Sequence, residues 1–171
     1  GSEAALQLAD RGVRVRLVEM RPKTPTPVHV TGCCAELVCS NSLKSEKPDS
    51  AAGMLKRELA ELGSQLYAQA KLHAVPAGGA LAVDRTAFAE AVTALVEAHP
   101  LIDLVHDEIV DLVQAAEGAD ALVVAAGPLA SDALAASLSR LAGEEHLAFY
   151  DAAAPIVMAD SLDYAKLFRQ S

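Results

Sequence analysis

Cys39 is the residue whose surroundings in the sequence best suit chemistry. It lies in the segment AELVCSNSL, where Ser40, Asn41 and Ser42 place hydroxyl and amide groups beside a thiol. A loop cysteine near basic residues can have a lowered pKa and can act as a nucleophile or as an acid. The alternative is a small buried hydrophobe, which is the commoner fate of a free cysteine. The spacing alone leaves both interpretations open.

The cysteines do not predict a metal site. His29, Cys33, Cys34 and Cys39 give the spacing H-x3-C-C-x4-C, whereas structural zinc sites prefer cysteine pairs separated by two to four residues. The chain has three cysteines, an odd number with two adjacent, and these do not make a disulfide framework. We therefore predict no metal and a reducing, cytoplasmic location.

Gly1 and Glu19 enclose a pattern that is typical of a dinucleotide site. The residues between them predict a helix that ends at Gly12 and a strand over 13–18. In a dinucleotide-binding βαβ unit, a third glycine opens the helix, and an acid after the next strand hydrogen-bonds a ribose hydroxyl. Gly1 matches that glycine, whose missing Cβ lets the helix pack close to the sheet, and Glu19 matches the acid.

The same pattern has a plainer explanation. Any αβ pair in an α/β protein can show an alanine-rich helix, a glycine and a valine-rich strand, so a purely structural unit is the alternative. If the dinucleotide interpretation holds, the first strand and the first two glycines of the fingerprint are absent from this sequence. We then expect the chain to begin inside its own nucleotide site.

A long loop and a helix are expected next. Residues 20–50 begin with three prolines in quick succession, which favour an extended, partly packed loop. Asp49 or Ser50 is expected to cap a helix that ends near His73, with Lys56 facing water. The apolar stripe of this helix is predicted to consist of Leu55, Leu59, Leu62 and Leu66.

Gly78 and Gly79 follow that helix in the segment VPAGGALAVDR. Glycine permits a positive φ or a close approach by a ligand, and a plain turn is the alternative. Asp84 or Thr86 is expected to begin a further helix, which Pro100 ends.

The remaining segments predict strands and one more helix. Residues 101–106 and 108–113 are typical of short strands, and the continuous apolar run 121–126 predicts a buried parallel strand that leads into a glycine turn. A helix is expected over 131–142, followed by a strand at 147–150. Ligands of open α/β sheets bind at the carboxyl ends of such strands.

The composition favours a parallel α/β domain. The chain has 171 residues, which is enough for one domain with a substantial core. It is 52% hydrophobic and only 4% aromatic, with no tryptophan, which suits helices packed on a parallel sheet better than an aromatic-cored sandwich. Its longest apolar runs are too short to span a bilayer, so we predict no membrane association.

The charge is unevenly distributed. The net charge is −9, yet residues 11–47 hold seven basic and three acidic residues, a local charge of +4. A positive stretch on an acidic body can steer a polyanion to one face. Ordinary solvated side chains are the alternative explanation.

Five segments, taken together and in order, resemble one protein family. They are GSEAA, VEMRP, AELVCSNSL, VPAGGALAVDR and FYDAAAPIV. They resemble the TrmFO family, the folate- and FAD-dependent tRNA (uracil-5-)-methyltransferases of bacteria. The resemblance implies a Rossmann-like FAD-binding domain of the glutathione-reductase type, with a parallel central sheet and flanking helices, incomplete at both ends. That partial domain would cover 1–171, with a long loop at 20–50 and a helical and strand insertion at 51–113.

The resemblance also implies a reaction. The family transfers a one-carbon unit from methylenetetrahydrofolate to C5 of a T-loop uridine in tRNA. FADH2 supplies the electrons, and NAD(P)H regenerates it. Cys39 matches a cysteine that the family uses in this chemistry, where it assists proton or methylene handling at the uracil ring.

Seven residues receive cofactor-binding roles from the resemblance: Gly1, Glu19, Gly78, Gly79, Ile109, Ala126 and Gly127. Gly1 would be the last glycine of the fingerprint, and Glu19 would be the acid that binds the ribose. The paired glycines would lie near the flavin or the folate, and the last two would form a turn that touches FAD. The isoleucine backbone would approach the adenine, as in flavoproteins more widely.

Two departures from the family pattern affect these expectations. An aromatic residue usually precedes Ala35 and Glu36, where this chain has Cys34. The principal nucleophilic cysteine of the family lies beyond Ser171, so we expect the chain by itself to be inactive. The alternatives are a flavin-dependent oxidoreductase of the same fold without an RNA substrate, because fold does not fix function, and a non-catalytic nucleotide- or tRNA-binding module.

Overall fold

The computed structural model describes residues 1–143, 162–163 and 165–166, and within them the chain has an α/β fold. In chain order the elements are α1 Ser2–Asp10, β1 Val15–Glu19, β2 Ser42–Ser45, α2 Ala51–Glu61, α3 Gln65–Leu72, β3 Ala74–Val75, β4 Ala80–Val83, α4 Arg85–Ala98, β5 Ile102–His106, α5 Leu112–Ala115 and α6 Asp132–Ala142. None of the helices in this part of the chain is both long and apolar enough to cross a membrane.

A parallel strand pair forms the first sheet. β1 and β5 pair in register, from Val15 opposite Ile102 to Glu19 opposite His106. α1 packs against both strands, and α4 packs against β5 and against α1. Parallel strands covered by helices are the arrangement of Rossmann-like folds, so the predicted α/β class is confirmed. Gly12, with φ +82°, makes the left-handed turn between α1 and β1.

The second sheet is antiparallel, with the order β2-β4-β3. β2 lies inside the segment 20–50 that was predicted to be a loop, so this prediction is wrong at its end. The sequence of β2, SLKS, carries no strand pattern of its own. Its strand geometry comes from pairing with β4, where Ser42 lies opposite Ala82. Side-chain pattern alone does not reveal such pairing.

The helix predicted to end near His73 is in fact two helices. Gly63 adopts φ +70° after α2, and the Ser64 hydroxyl then accepts a hydrogen bond from Tyr67 N to cap α3. Ser50 caps α2 as predicted, by accepting from Gly53 N. A glycine followed by a serine supplies both a stop and a new start.

The predicted buried and exposed sides of the helix now seen as α2 and α3 are partly wrong. Leu55 and Leu62 are 55% and 72% exposed, whereas Lys56 is only 6% exposed. The Lys56 ammonium donates to Ser45 O at 3.0 Å and to Ala52 O at 3.4 Å. Lys56 therefore turns toward β2, because the Ser45 carbonyl at the end of that strand accepts an ammonium proton.

The core lies where α3 and α4 meet the second sheet. Leu81, Val83, Phe88 and Val92 are almost fully buried, together with Cys34. Phe88 and Val92 thus form an apolar inner face of α4, and Cys34 is the small buried hydrophobe among the cysteines. Burial raises the pKa of the Cys34 thiol.

Two predicted strands are not present. Residues 108–111 form a loop, and residues 112–113 already belong to α5, which Asp111 caps by accepting from Val113 N and Gln114 N. Residues 121–126 have no strand geometry and are exposed, with Val123 at 64%. A strand requires a hydrogen-bonded neighbour, and none of the described strands lies beside residues 121–126 to pair with them.

The last predicted helix is confirmed. Ser131 caps α6 by accepting from Leu134 N, and Gly143 ends it with φ +69°. This is the expected combination of a hydroxyl cap at the start and a glycine at the end. The strand predicted at 147–150 lies outside the described residues.

Candidate functional site

Gly1 and Glu19 lie at the same edge of the parallel sheet. Gly1 precedes α1, and a Cβ built on it would lie 3.8 Å from Cδ1 of Leu17, the middle residue of β1. Because the chain reverses at Gly12 between α1 and β1, the start of α1 lies toward the carboxyl end of β1. Glu19 is the last residue of β1. The edge therefore combines a helix N-terminus with a carboxylate, as the predicted dinucleotide site requires.

The packing reason predicted for Gly1 is not supported. A distance of 3.8 Å is ordinary van der Waals contact, so a Cβ would fit between α1 and β1. The helix packs close to the strand without requiring a glycine there. If Gly1 is needed, the need comes from a ligand at the helix N-terminus.

The Glu19 carboxylate is held by Arg21. Glu19 Oε1 accepts from Arg21 N at 3.0 Å and from Arg21 Nε at 2.9 Å, and Oε2 accepts from an Arg21 terminal nitrogen at 3.1 Å. Burial works to raise the pKa of Glu19, but the hydrogen bonds and the charge of Arg21 outweigh it and hold this pKa below its ordinary value. Glu19 is therefore an oriented, ionised acceptor.

Glu36 is the second carboxylate on the same guanidinium. Its Oε2 accepts from Arg21 at 3.0 Å. Glu36 also accepts from Val30 N at 2.8 Å and from the Thr31 hydroxyl at 2.6 Å. Burial acts to raise the pKa of Glu36, but the hydrogen bonds from Thr31 and Val30 outweigh it and hold this pKa below its ordinary value. The loop before Cys39 is thus folded around one arginine and two carboxylates.

Neither Arg21 nor Glu36 is among the site residues predicted from the sequence. Both lie in segments that carry the family resemblance, VEMRP and AELVCSNSL. The available signal is an arginine two residues after the acid that ends a strand. It does not show that a carboxylate fifteen residues further along the chain approaches the same guanidinium.

Cys39 lies in an open groove of about 540 Å³, and Asn41, Asp84 and Arg85 are among the residues that line it. The thiol-bearing residue is exposed, so the alternative of a buried hydrophobe is wrong for Cys39. Arg85 donates to Leu37 O at 3.1 Å, which ties the groove wall to the segment before the cysteine. The groove offers an amide, a carboxylate and a guanidinium beside the thiol.

Gly78 and Gly79 are not brought next to Cys39. They form the turn between β3 and β4, where Gly78 has φ +62°. At this end of β4, Glu46 N donates to Gly79 O. At the other end, next to Cys39, Val83 N donates to Asn41 O. The four residues of β4 separate the two ends by roughly 10 Å. Their assignment to the flavin or the folate stays a prediction.

Ile109 and the pair Ala126–Gly127 differ in position. Ile109 follows β5 on the side of Glu19, since Asp107 N donates to Glu19 O at 3.0 Å. Gly127 makes a turn with φ +70° in the exposed segment after 121–126. In the hydrogen bonds of the described residues, nothing joins this turn to the Glu19 edge. Their binding roles also stay predictions.

The cysteines differ in burial. Cys33 is partly buried, Cys34 is buried and Cys39 is exposed. Within residues 1–143 and the four described residues near the end of the chain, no group of three or more histidine, cysteine, aspartate or glutamate side chains is placed to hold a metal.

Comparison with known proteins gives one consistent result. A family model described as glucose inhibited division protein A matches residues 1–171. The chain is 52% identical to a protein of Desulforudis audaxviator, 55% to one of Geobacter sulfurreducens and 52% to one of Bacillus licheniformis, in each case over the whole chain and 38% of the relative. All three are named methylenetetrahydrofolate–tRNA-(uracil-5-)-methyltransferase TrmFO.

These matches confirm the resemblance drawn from the five segments. The chain spans 38% of the length of the curated relatives, so the similarity describes a part of those proteins. Because the family model covers every residue, the chain belongs to the glucose inhibited division protein A family.

Proposed function

We propose that the protein containing this chain transfers a one-carbon unit from methylenetetrahydrofolate to C5 of a T-loop uridine in tRNA. In this proposal FADH2 is the reductant and NAD(P)H regenerates it, in the cytoplasm. The observation that carries the proposal is the identity of about one half, over all 171 residues, to relatives whose names state the folate donor and the tRNA uracil.

The carboxyl end of β1, where Glu19 and the start of α1 lie, fits the adenosine half of FAD. A partly exposed, ionised carboxylate ends β1, and the free N–H groups of α1 lie at the same edge. Ribose hydroxyls are donors for such a carboxylate, and a pyrophosphate is the preferred ligand of a helix N-terminus. Gly1 and Glu19 would hold these parts, and bound FADH2 would supply the electrons for reduction of the transferred carbon.

Cys39 is proposed to move a proton at the uracil ring. Methylation at C5 requires a thiolate that adds at C6, and a second group that removes the C5 proton. An exposed thiol in a groove beside Asn41 and Arg85 is accessible to a flipped-out base, whose carbonyl oxygens and ring nitrogen are partners for amide and guanidinium groups.

Lys44 and Lys47 are the proposed phosphate contacts from the basic stretch 11–47. Both are exposed, and they follow Cys39 along and just after β2. Among the ion pairs of the described residues, neither takes part, whereas Arg21 is buried between two carboxylates and is unavailable to RNA. Phosphate contacts of this kind set the register of RNA rather than reading its sequence.

Incorporation of methyl groups into tRNA tests the function. The full-length protein is supplied with methylenetetrahydrofolate, NADPH, FAD and unmodified tRNA, and 5-methyluridine is measured. We expect Cys39→Ala to lower the rate by two orders of magnitude or more, while Cys33→Ala, the matched control beside the buried Cys34, keeps the parent rate. An unchanged rate in Cys39→Ala would remove Cys39 from the chemistry, and a parent protein that methylates no tRNA would overturn the proposed function.

A further inference from the structure

Arg21 lies between two carboxylates: Glu19, the proposed ribose acid, and Glu36, which is more deeply buried. We propose that Arg21 is a positioning residue, which turns the Glu19 carboxylate so that Oε2 accepts a hydrogen bond from one hydroxyl of the adenosine ribose. This inference rests on the proposed FAD-dependent function and adds to it a residue and a selectivity for one hydroxyl.

The hydrogen bonds around Glu19 leave room for one more donor. A carboxylate offers about four acceptor positions, two on each oxygen. Oε1 already accepts from Arg21 N and Nε, and Oε2 accepts from one Arg21 terminal nitrogen. One position therefore remains, and it lies on Oε2. A ribose presents two neighbouring hydroxyls, of which this oxygen can take only one as a full hydrogen bond.

The guanidinium that sets this orientation is itself fixed. The Arg21 side chain is 7% exposed. Besides Glu19, it donates to Glu36 Oε2 at 3.0 Å, to Cys33 O at 3.0 Å and to Thr31 O at 3.4 Å. A planar guanidinium with partners on both sides has no freedom to rotate. A lysine ammonium at this position would provide one charge but not the two parallel bonds that orient a carboxylate.

The two carboxylates on Arg21 differ in exposure. The Glu36 side chain is 8% exposed and the Glu19 side chain is 23% exposed. Glu36 is closed in by Val30 and Thr31, which donate to both of its oxygens. Glu36 therefore neutralises and anchors Arg21, while Glu19 keeps an opening toward the sheet edge.

Binding of FAD and of two FAD analogues tests the inference. The analogues lack either the 2′- or the 3′-hydroxyl of the adenosine ribose, and affinity for the full-length apoprotein is measured by quenching of flavin fluorescence. The variants are Arg21→Lys, Glu36→Gln and the control Arg140→Lys, which keeps an exposed 3.9 Å pair with Asp111. The readout does not depend on methyl transfer.

We expect the parent protein to bind one analogue about ten- to a hundredfold more weakly than FAD, because a hydrogen bond to a charged group is lost. The other analogue should bind nearly as well as FAD. Arg21→Lys should bind FAD about tenfold more weakly and should discriminate less than threefold between FAD and either analogue. Glu36→Gln should also reduce the difference in affinity between FAD and the weakly bound analogue. Arg140→Lys should behave as the parent.

Several results would overturn the inference. If Arg21→Lys weakens the binding of FAD and of both analogues by the same factor, the discrimination between them is unchanged, and Arg21 serves only to fold the loop. If Arg21→Lys changes neither the affinity for FAD nor the discrimination, Glu19 is oriented without Arg21. If Arg21→Lys does not fold, as judged by circular dichroism, full discrimination in Glu36→Gln contradicts the proposal. A parent protein that binds no FAD removes the proposed function as well, so the two failures are distinguishable.

Discussion

Asn41 and Val83 are joined by two hydrogen bonds. Val83 N donates to Asn41 O at 2.9 Å, and Asn41 Nδ2 donates to Val83 O at 3.1 Å. Val83 has no exposed surface, so the pair fastens the segment that carries Cys39 to the core of the second sheet. The position of the thiol at the groove is a consequence of this attachment.

Asn41→Ala tests that attachment. The variant loses the side-chain hydrogen bond while the backbone bond stays, so we expect a decrease of about 1 kcal/mol in the free energy of unfolding. Urea denaturation of the full-length protein measures it. Ser40→Ala is the control, because the Ser40 hydroxyl makes only long, exposed contacts of 3.3 and 3.5 Å. Equal stability of the two variants would contradict the attachment.

Gly53→Ala should destabilise the protein although alanine is the better helix former. A Cβ at Gly53 would overlap Lys47 O and lie 2.7 Å from Lys47 C, and backbone cannot move aside as a side chain can. We expect a cost of roughly 1–3 kcal/mol, typical of overpacking. Thermal unfolding measures it, with Ala51→Gly as a control in the exposed first turn of α2. A stabilised Gly53→Ala protein would show that α2 does not approach Lys47.

Glu3 links α1 to the start of α3 and predicts a pH dependence. It accepts from the Ser64 hydroxyl at 2.9 Å, Gln65 N at 3.1 Å and Leu66 N at 2.8 Å. Burial works to raise the pKa of Glu3, but these hydrogen bonds and one from Gln7 hold it below the ordinary value of 4.5. Because the pKa of Glu3 is lower in the folded than in the unfolded protein, its ionised carboxylate stabilises the fold above the unfolded-state pKa. This stabilisation is lost as the pH falls through the folded-state pKa.

Glu3→Gln should therefore lower stability at pH 7 and flatten its decline below pH about 4.5. Urea midpoints between pH 3 and pH 7 measure both effects. Glu117→Gln is the control, since Glu117 is exposed and its side chain has no hydrogen-bond partner among the described residues. Parallel pH profiles for the parent protein and Glu3→Gln would contradict the role of Glu3.

Gly1→Ala separates packing from ligand binding. The added methyl group would meet Leu17 at ordinary contact distance, so we expect the free energy of unfolding to change by less than about 0.5 kcal/mol. If the pyrophosphate approaches the N-terminus of α1, the same methyl group should weaken FAD binding about tenfold or more. Unfolding and FAD titration of one variant give both values. A large loss of stability would restore the packing explanation for Gly1.

Local chemistry in the sequence determined the helix starts and the first strand. Ser50, Asp84 and Ser131 each cap the helix that follows, by accepting from backbone N–H groups two or three residues away. The alternation before Glu19 likewise predicts β1. Such features depend on residues within one turn or one strand of each other, so neighbours in sequence suffice to reveal them.

Tertiary structure decided which segments pair and which side chains are buried. SLKS is a strand because β4 lies beside it, while the more apolar run 121–126 remains exposed because no described strand pairs with it. Lys56 is buried because backbone carbonyls receive its protons. Arg21 meets Glu36 because the loop between them folds back. Hydrogen-bond partners distant in sequence decide each of these outcomes, and a side-chain pattern contains no record of them.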